Sequence, residues 1–506
     1  MIRLLRPAVR AALASTARAH RAAWDDPAAA QAAVRARAWE GLRETAYGAR
    51  YARFEDLPIV TWEDMAPWMA RQASGEGAIV TRERVRFWEP TSGSVGPPKR
   101  IPYTASLRSS FSRMFAIWTH DLLAHGPPLR TGRCWFTVTP RFDDSAPAGD
   151  GAPVGTTDDR DYLDGPLRTL MAPFWVMPPG LATERDPEGW RRRVATALCA
   201  ERSLEVVSAW SPTLLTTLLE WMVAHRDTLP NAALVGDWRR LWPELKIVSV
   251  WDSGSAAAPA ARLRALLAGE EDPGAGGGSV AGGRPPPHHG APLLIQGKGL
   301  LATEGPVTLP LVGLEGAAAP LVAEVGIELI DEAGGLVPVA RAEEGRRYEV
   351  VLTQSAGLAR YRLGDIVEAR GRVGGTPALR FLGRAQTVDL AGEKLTEAVV
   401  AETFARVGVP AGSALVGAGD HYRLEVDAPG GGDAAEAHAA RLAARVEAAL
   451  GEAHHYRLAR RLGQLGAVRG VIASGRGRRA LDAARGWGGA KGTVLVGGAG
   501  PFLPPD

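Results

Sequence analysis

Three short stretches carry residue types that suit the handling of phosphates and carboxylates. The first is Thr91-Ser92-Gly93-Ser94-Val95-Gly96-Pro97-Pro98-Lys99. Its glycines let the backbone approach an anion, its hydroxyls and N–H groups can point at the oxygens, and Lys99 adds a compact charge. The second is Gly299-Leu300-Leu301-Ala302-Thr303-Glu304-Gly305. A carboxylate there suits Mg²⁺ beside a nucleotide, since magnesium takes one or two carboxylates plus phosphates. The third is Tyr361-Arg362-Leu363-Gly364-Asp365, followed by Gly383-Arg384. An aspartate after glycine suits a bidentate grip on ribose hydroxyls, with an arginine close by. Each stretch taken alone has a plainer reading: a glycine-serine surface turn, an acidic turn ending a strand, and a surface salt bridge.

Lysine is scarce in this chain. Of 59 basic residues only Lys99, Lys246, Lys298, Lys394 and Lys491 are lysines. A lysine retained among so many arginines marks places where a flexible point charge is needed rather than a planar fork. Four of the five stand in glycine-containing motifs, among them Gly392-Glu393-Lys394 and Gly488-Gly489-Ala490-Lys491-Gly492. Lys246, just before an apolar run, reads as an ordinary surface residue.

Other groupings carry less. The acidic run Asp158, Asp159, Asp161 and Asp164 lacks the glycine and glutamate positions of a calcium loop, which favours a solvated, helix-capping loop. His288-His289 has no third ligand near it in sequence. Cys134 and Cys199 sit in apolar surroundings and read as buried thiols in a reducing, cytoplasmic setting. The formal net charge of +3 is spread among interspersed acids and bases, which argues against a nucleic-acid partner. No apolar run is long enough to span a membrane, and the arginine- and alanine-rich start reads as an amphipathic helix.

At 506 residues the chain exceeds what one core usually serves. Residues 85–89 alternate as a strand before the first stretch, and Ser106 opens a helix with Leu107, Phe111, Phe115, Trp118 and Leu122 on one face. Strands at 134–138, 204–210 and 247–251 alternate with helical patterns at 188–202 and 211–226, where Ser211-Pro212 is a cap and first-turn proline. Residues 271–290 form a low-complexity insert. From 321 to 382 strand-like runs dominate, and after Arg384 a smaller αβ unit begins. The expectation is an α/β multidomain protein: residues 1–385 with a β-rich subdomain, then 386–506.

With these pieces in order, the chain resembles the adenylate-forming superfamily. It is most similar to the auxin-responsive-promoter family of acyl-acid–amido synthetases, whose plant members join jasmonate or auxin to amino acids. The loop at 91–99 resembles Thr-Ser-Gly-Ser-Thr-Gly-x-Pro-Lys, with Val95 in place of the usual threonine. The phosphate loop of nucleoside triphosphatases fails as an alternative, because its lysine must follow glycine and precede serine or threonine. Thr45-Ala46-Tyr47-Gly48, Trp210-Ser211-Pro212-Thr213, the Glu304 and Asp365 stretches, and Leu382-Gly383-Arg384 through Lys394-Leu395-Thr396-Glu397 extend the resemblance along nearly the whole chain.

The resemblance implies ATP and Mg²⁺ as cofactors and a carboxylic acid and an amine, in particular an amino acid, as substrates. It places Thr91, Ser92, Gly93, Ser94, Gly96 and Lys99 at the ATP phosphates and Ala302, Thr303 and Tyr361 against the nucleotide. Asp365 and Arg384 would address the ribose, and Glu304 would position Mg²⁺. Lys394 would sit near a hinge, and Lys491 would reach the reacting carboxylate from a mobile C-terminal domain. The glycine-rich surroundings of Lys491 depart from the family's usual lysine-proline ending. The alternative is a coenzyme A ligase that forms a thioester from the same acyl-adenylate. Phe174, Trp175 and Trp210 read either as an acid pocket or as core. The resemblance does not fix the oligomeric state.

Overall fold

Two helices lead the chain, α1 (Ile2–Asp25) and α2 (Pro27–Leu42). Asp26 separates them, its side chain accepting from the Ala29 N–H at 3.1 Å while Pro27 fills the first turn. The computed structural model describes residues 2–90, 99–137, 149–154, 168–169, 171–176, 178, 181, 184, 186–253, 256–269, 293–384, 387–388, 395–418, 421–426, 432–453, 456–457, 460, 465–472 and 495–496. Buried polar side chains tie the two helices to distant chain. Trp24 Nε1 donates to Pro320 O at 2.7 Å, and Gln31 Nε2 donates to Val322 O and Val325 O, both at 2.8 Å.

Next come α3 (Trp62–Ala73), opened by a reciprocal cap between Thr61 and Asp64, and the antiparallel pair β1 (Phe87–Pro90) and β2 (Arg100–Tyr103). Residues 91–99 therefore join two strands, whereas the sequence suggested a loop passing from strand to helix. The long helix α4 (Ala105–His125) follows β2, and its cap is Thr104, whose side chain accepts from the Leu107 N–H at 3.4 Å. Ser106 falls in the first turn instead, its backbone N–H donating to Glu83 at 3.0 Å. The expected apolar face of α4 is present, with Leu107, Phe111, Trp118 and Leu122 buried.

A four-stranded parallel sheet runs β3 (Arg133–Phe136), β4 (Leu204–Ser208), β5 (Ile247–Ser249) and β6 (Leu294–Gln296), in sequence order. Alternate residues divide between two cores. Cys134, Val206 and Ile247 face the main core, while Trp135, Val207 and Val248 pack under the helices Pro187–Ala200, Pro212–Ala224 and Ala257–Ala268. A parallel sheet covered on both faces accounts for apolar residues on both sides of these strands. Ser211 and Pro212 open their helix as the sequence indicated, and both cysteines are buried and free.

Beyond it lie the short pairs β7 (Leu301–Ala302) with β8 (Gly305–Pro306) and β9 (Thr308–Leu309) with β10 (Ala319–Pro320). The β-rich subdomain is a five-stranded antiparallel sheet of β11 (Gly326–Ile330), β12 (Leu336–Pro338), β13 (Arg347–Thr353), β14 (Tyr361–Val373) and β15 (Thr376–Arg384), in the order β12-β11-β13-β14-β15. The C-terminal part carries β16 (Thr387–Val388) paired with β17 (Leu395–Thr396), and a second sheet of β18 (Ala414–Ala418), β19 (His421–Val426), β20 (Arg469–Ile472) and β21 (Leu495–Val496). Among the described residues, helices Glu397–Val407 and Asp433–Leu450 join a hydrophobic core built from Leu395 onward. No helix among the described residues is long and apolar enough to cross a membrane.

Lys246 differs from its sequence reading. Its ammonium donates to the Glu205 carboxylate at 2.6 Å, and Glu205 is fully buried. That carboxylate also accepts from the backbone N–H groups of Arg130, Thr131 and Gly132 at 2.6, 2.8 and 2.7 Å. Nothing in the local pattern Pro-Glu-Leu-Lys reveals a partner 41 residues away.

Candidate active site

The pairing of Pro90 with Arg100 closes the ends of the glycine-serine stretch. Thr91, Ser92, Gly93, Ser94 and Gly96 lie outside the described residues. Lys99 is described, and its ammonium donates to the Tyr361 hydroxyl at 3.0 Å. It also stands 5.7 Å from the ring centroid of Trp62 and 5.8 Å from that of Tyr361. Among the described residues no carboxylate forms a salt bridge with it. The Tyr361 hydroxyl and the Trp62 π face hold the ammonium, and the Glu63 carboxylate acts on it through space. Tyr361, the first residue of β14, is itself fixed by Val60. The Val60 N–H donates to Arg360 O at 3.0 Å, and the Arg362 N–H to Val60 O at 2.8 Å.

Four residues on, Tyr103 ends β2. Its ring stacks on Phe87 and Phe111, with centroids 4.7 and 5.8 Å apart, and its hydroxyl donates to Thr303 O at 2.8 Å. Thr303-Glu304 is the two-residue turn between β7 and β8, where Ala302 pairs with Gly305. So β2 and the lysine before it touch both the Glu304 turn and the start of β14. Burial above all, then the carboxylates of Glu89 and Glu304, hold the Tyr103 phenol well above its ordinary range of about 10. Two carboxylates thus act on one buried phenol, and Glu304 is only 6% exposed.

The buried carboxylate of Glu304 fits a divalent cation. Among the described residues no three acidic, histidine or cysteine groups gather as a metal cage. One carboxylate, completed by phosphates and water, is how Mg²⁺ is commonly held, so Glu304 suits that part.

Asp365 lies in β14, fully buried on the same face as Tyr361, Leu363 and Val367. The ladder to β13 is interrupted here. Glu349 pairs with Ile366 and Val351 with Arg362, so Leu363, Gly364 and Asp365 together face Val350. Gly364 takes φ +76° at this bulge, a conformation glycine adopts without strain. Bulges re-aim side chains, and the carboxylate of Asp365 at this one is fully buried. Asp365 pairs with Arg384 across to β15, so the backbone brings the two expected ribose residues side by side. The Arg384 side chain, Lys394 and Lys491 lie outside the described residues, as do the acidic run at 158–164 and His288-His289. The sequence reading passed over Tyr103 and Trp62. Only the placement of Tyr103 at the end of a hydrophobic strand next to the glycine-serine stretch hinted at its contact.

The fold is that of the adenylate-forming ligases. Superposition on a solved "AtGH3.15 acyl acid amido synthetase in complex with 2,4-DB" gives a TM-score of 0.73 over 96% of this chain and 94% of that one, at 18% identity. A 2-hydroxyisobutyryl-CoA ligase in its postadenylation state gives 0.50 over 88% and 85%, at 14% identity. The sequence names the family within that fold. Residues 21–232 match the GH3 family N-terminal domain and residues 325–384 the GH3 family central domain, together more than half of the chain. The chain belongs to the GH3 family, as its motifs suggested. It is 24% identical over 351 residues to a putative indole-3-acetic acid-amido synthetase from Oryza sativa subsp. japonica, covering 65% of this chain and 70% of that protein. It is 31% identical over 188 residues to a GH3 domain-containing protein of Homo sapiens, covering 37% of this chain and 32% of that protein.

Proposed function

We propose that the chain is an ATP-dependent ligase that activates a carboxylic acid as its acyl-adenylate and passes the acyl group to an amine, in particular an amino acid. The observation that carries this reading is the double attachment of β2: Lys99 to Tyr361 and Tyr103 to Thr303. Through these bonds the glycine-serine stretch, the Glu304 turn and the Asp365 strand share one scaffold. Its relatives' names, indole-3-acetic acid-amido synthetase and jasmonoyl–L-amino acid synthetase, agree with it.

In the first step a carboxylate oxygen of the acid bonds to the α-phosphorus of ATP, and the bond to pyrophosphate breaks. The attacking group is an anion approaching an anion, so positive charge set in place beforehand lowers the barrier. Lys99, held by the Tyr361 hydroxyl and the Trp62 ring, supplies such charge at the edge of the stretch 91–99. Glu304 would hold Mg²⁺, which when bound offsets charge on the phosphate oxygens. Asp365 accepts from the ribose hydroxyls, with Arg384 beside it. In the second step the amine nitrogen attacks the acyl carbon, AMP leaves, and the nitrogen loses a proton.

The acyl-adenylate is readily hydrolysed, so a closing lid serves the chemistry. We assign that role to residues 386–506, with a hinge near Lys394 and Lys491 as the lysine that meets the reacting carboxylate. A core built, among the described residues, from Leu395 onward supports the division. The two buried free thiols support a cytoplasmic location.

The test is acid-dependent exchange of labelled pyrophosphate into ATP across a panel of carboxylic acids. The best acid is then supplied with amino acids or with coenzyme A. AMP release with an amide product supports the proposal, and a thioester product would replace the acceptor. Absence of exchange with every acid, in a protein that binds ATP, would reject the adenylation step. Lys491→Ala should lose exchange while still binding ATP.

A further inference from the structure

The four parallel strands end in register: Phe136 pairs with Ser208, Ser208 with Ser249, and Ser249 with Gln296. Ligands of open α/β sheets bind beyond the carboxyl ends of such strands. Lys298 folds over this edge. Only 8% exposed, its ammonium donates to Ser208 Oγ at 2.7 Å and reaches Ser249 Oγ at 3.4 Å, and it stands 5.2 Å from the Trp210 ring centroid. Beside it Trp118 Nε1 donates to Gln296 Oε1 at 2.8 Å, and the Trp118 and Phe136 rings meet edge to face at 6.4 Å. Among the described residues this edge brings together a buried ammonium, two hydroxyls and aromatic rings.

The backbone is shaped to put the lysine there. A Cβ on Gly297 would come within 2.3 Å of the Asp252 carboxylate, and Gly299 takes φ +65°. The residue between them is one of five lysines in an arginine-rich chain. An arginine fork is wider than an ammonium and cannot make the same close approach to two adjacent serines. The same segment runs on to Glu304 six residues later, a reach of at most about 20 Å. None of the steps assigned above uses Lys298.

We propose that Lys298, backed by Ser208 and Ser249, binds a carboxylate of the acid substrate, with Trp118, Phe136 and Trp210 as the apolar surface around it. The inference rests on reading this site as acid-activating, and it adds the residue that selects the acid. An ammonium in a largely buried setting gains more from an anion than it would in water. The acid class is a monocarboxylate held by its reacting group, or a dicarboxylate held by its second one.

Binding of benzoate, decanoate and terephthalate is measured by calorimetry, alongside ATP, for the wild type, Lys298→Met and Lys298→Arg. The wild type should bind at least one acid, the methionine variant should lose about tenfold or more of that affinity, and ATP affinity should stay unchanged. Loss confined to terephthalate assigns the lysine to the second carboxylate, and loss for the monocarboxylates assigns it to the reacting one. If the methionine variant does not fold, Lys298→Arg decides: an altered ranking of the acids supports the proposal, and an unaltered one overturns it. Acid binding unchanged in Lys298→Met overturns it as well, as does a wild type that binds ATP but none of the acids. A wild type that fails to bind ATP would instead reject the adenylation reading.

Discussion

The Tyr103 hydroxyl donates to the main-chain carbonyl of Thr303 at 2.8 Å, so the strand leaving the glycine-serine stretch also holds the turn that presents Glu304. A phosphate gripped by the first and a cation held by the second would be kept in fixed relation by one buried phenol. Stacking on Phe87 and Phe111 keeps that phenol in place.

Tyr103→Phe keeps the stacking and removes the hydroxyl that makes this bond. A lost buried hydrogen bond costs roughly 1 kcal/mol, so the variant should fold, with a small drop in denaturation midpoint. The turn would be less well fixed, and the Mg²⁺ concentration for half-maximal pyrophosphate exchange should rise several-fold. A titration identical to the wild type would show that the bond does not position Glu304.

Lys99→Met removes the charge while keeping an apolar stem against Trp62 and Tyr361. ATP affinity should fall by about tenfold, the worth of one charge-assisted contact, and AMP, which lacks the outer phosphates, should be affected less. Lys99→Arg should recover only part, because the fork does not fit a site bounded by the Tyr361 phenol and the Trp62 ring. Equal losses for ATP and AMP would move the lysine's contact away from the outer phosphates.

His20 gives the fold a dependence on pH. It packs 3.4 Å from Glu324, which Arg113 also grips, its Nε donating at 2.7 Å. Burial, the largest influence, pushes the imidazole below 6.5, although the Glu324 carboxylate pulls it upward. The folded protein therefore keeps His20 neutral, and the unfolded chain takes up the proton first. The stability contributed is fully present above pH 6.5 and is lost as pH falls below it toward the native value. Melting temperature should drop more between about pH 7.5 and pH 5.5 in the wild type than in His20→Gln. Parallel profiles would show that another group is responsible.

Lys246→Met should destabilise the protein by about 3 kcal/mol, because breaking a buried pair strands its partner's charge. Burial alone would raise the Glu205 carboxyl, but Lys246 and three backbone amides hold it below the usual carboxylate range. The double variant Lys246→Met/Glu205→Gln should recover part of the loss. Urea denaturation reads both, and a single-variant loss under about 1 kcal/mol would place the pair with ordinary surface bridges.

The sequence was most legible where local chemistry and local structure coincide. Ser211-Pro212, the apolar face of α4 and four of the five strands of the β-rich subdomain follow from patterns a few residues long, whereas the short β12 (Leu336–Pro338) carried no such pattern. What escaped depends on distant chain. Ser106 and Thr104 are both adequate caps, and because β2 runs to Tyr103 the helix starts directly after it, with Thr104 as its cap. Lys246 carries no local mark of Glu205, and the bulge at Gly364 depends on the register of β13. Glu304 and Asp365 were visible as motifs, yet their burial and the part played by Tyr103 required the third dimension.

One consequence concerns synthesis. The opening helices are anchored by Trp24 and Gln31 to carbonyls of Pro320, Val322 and Val325, close to three hundred residues later. At a ribosomal rate of roughly 5–20 residues per second, those anchors emerge about 15–60 seconds after the helices they hold. These two helices thus leave the ribosome well before the chain that anchors them, and a chaperone that shields them has most to do during that interval.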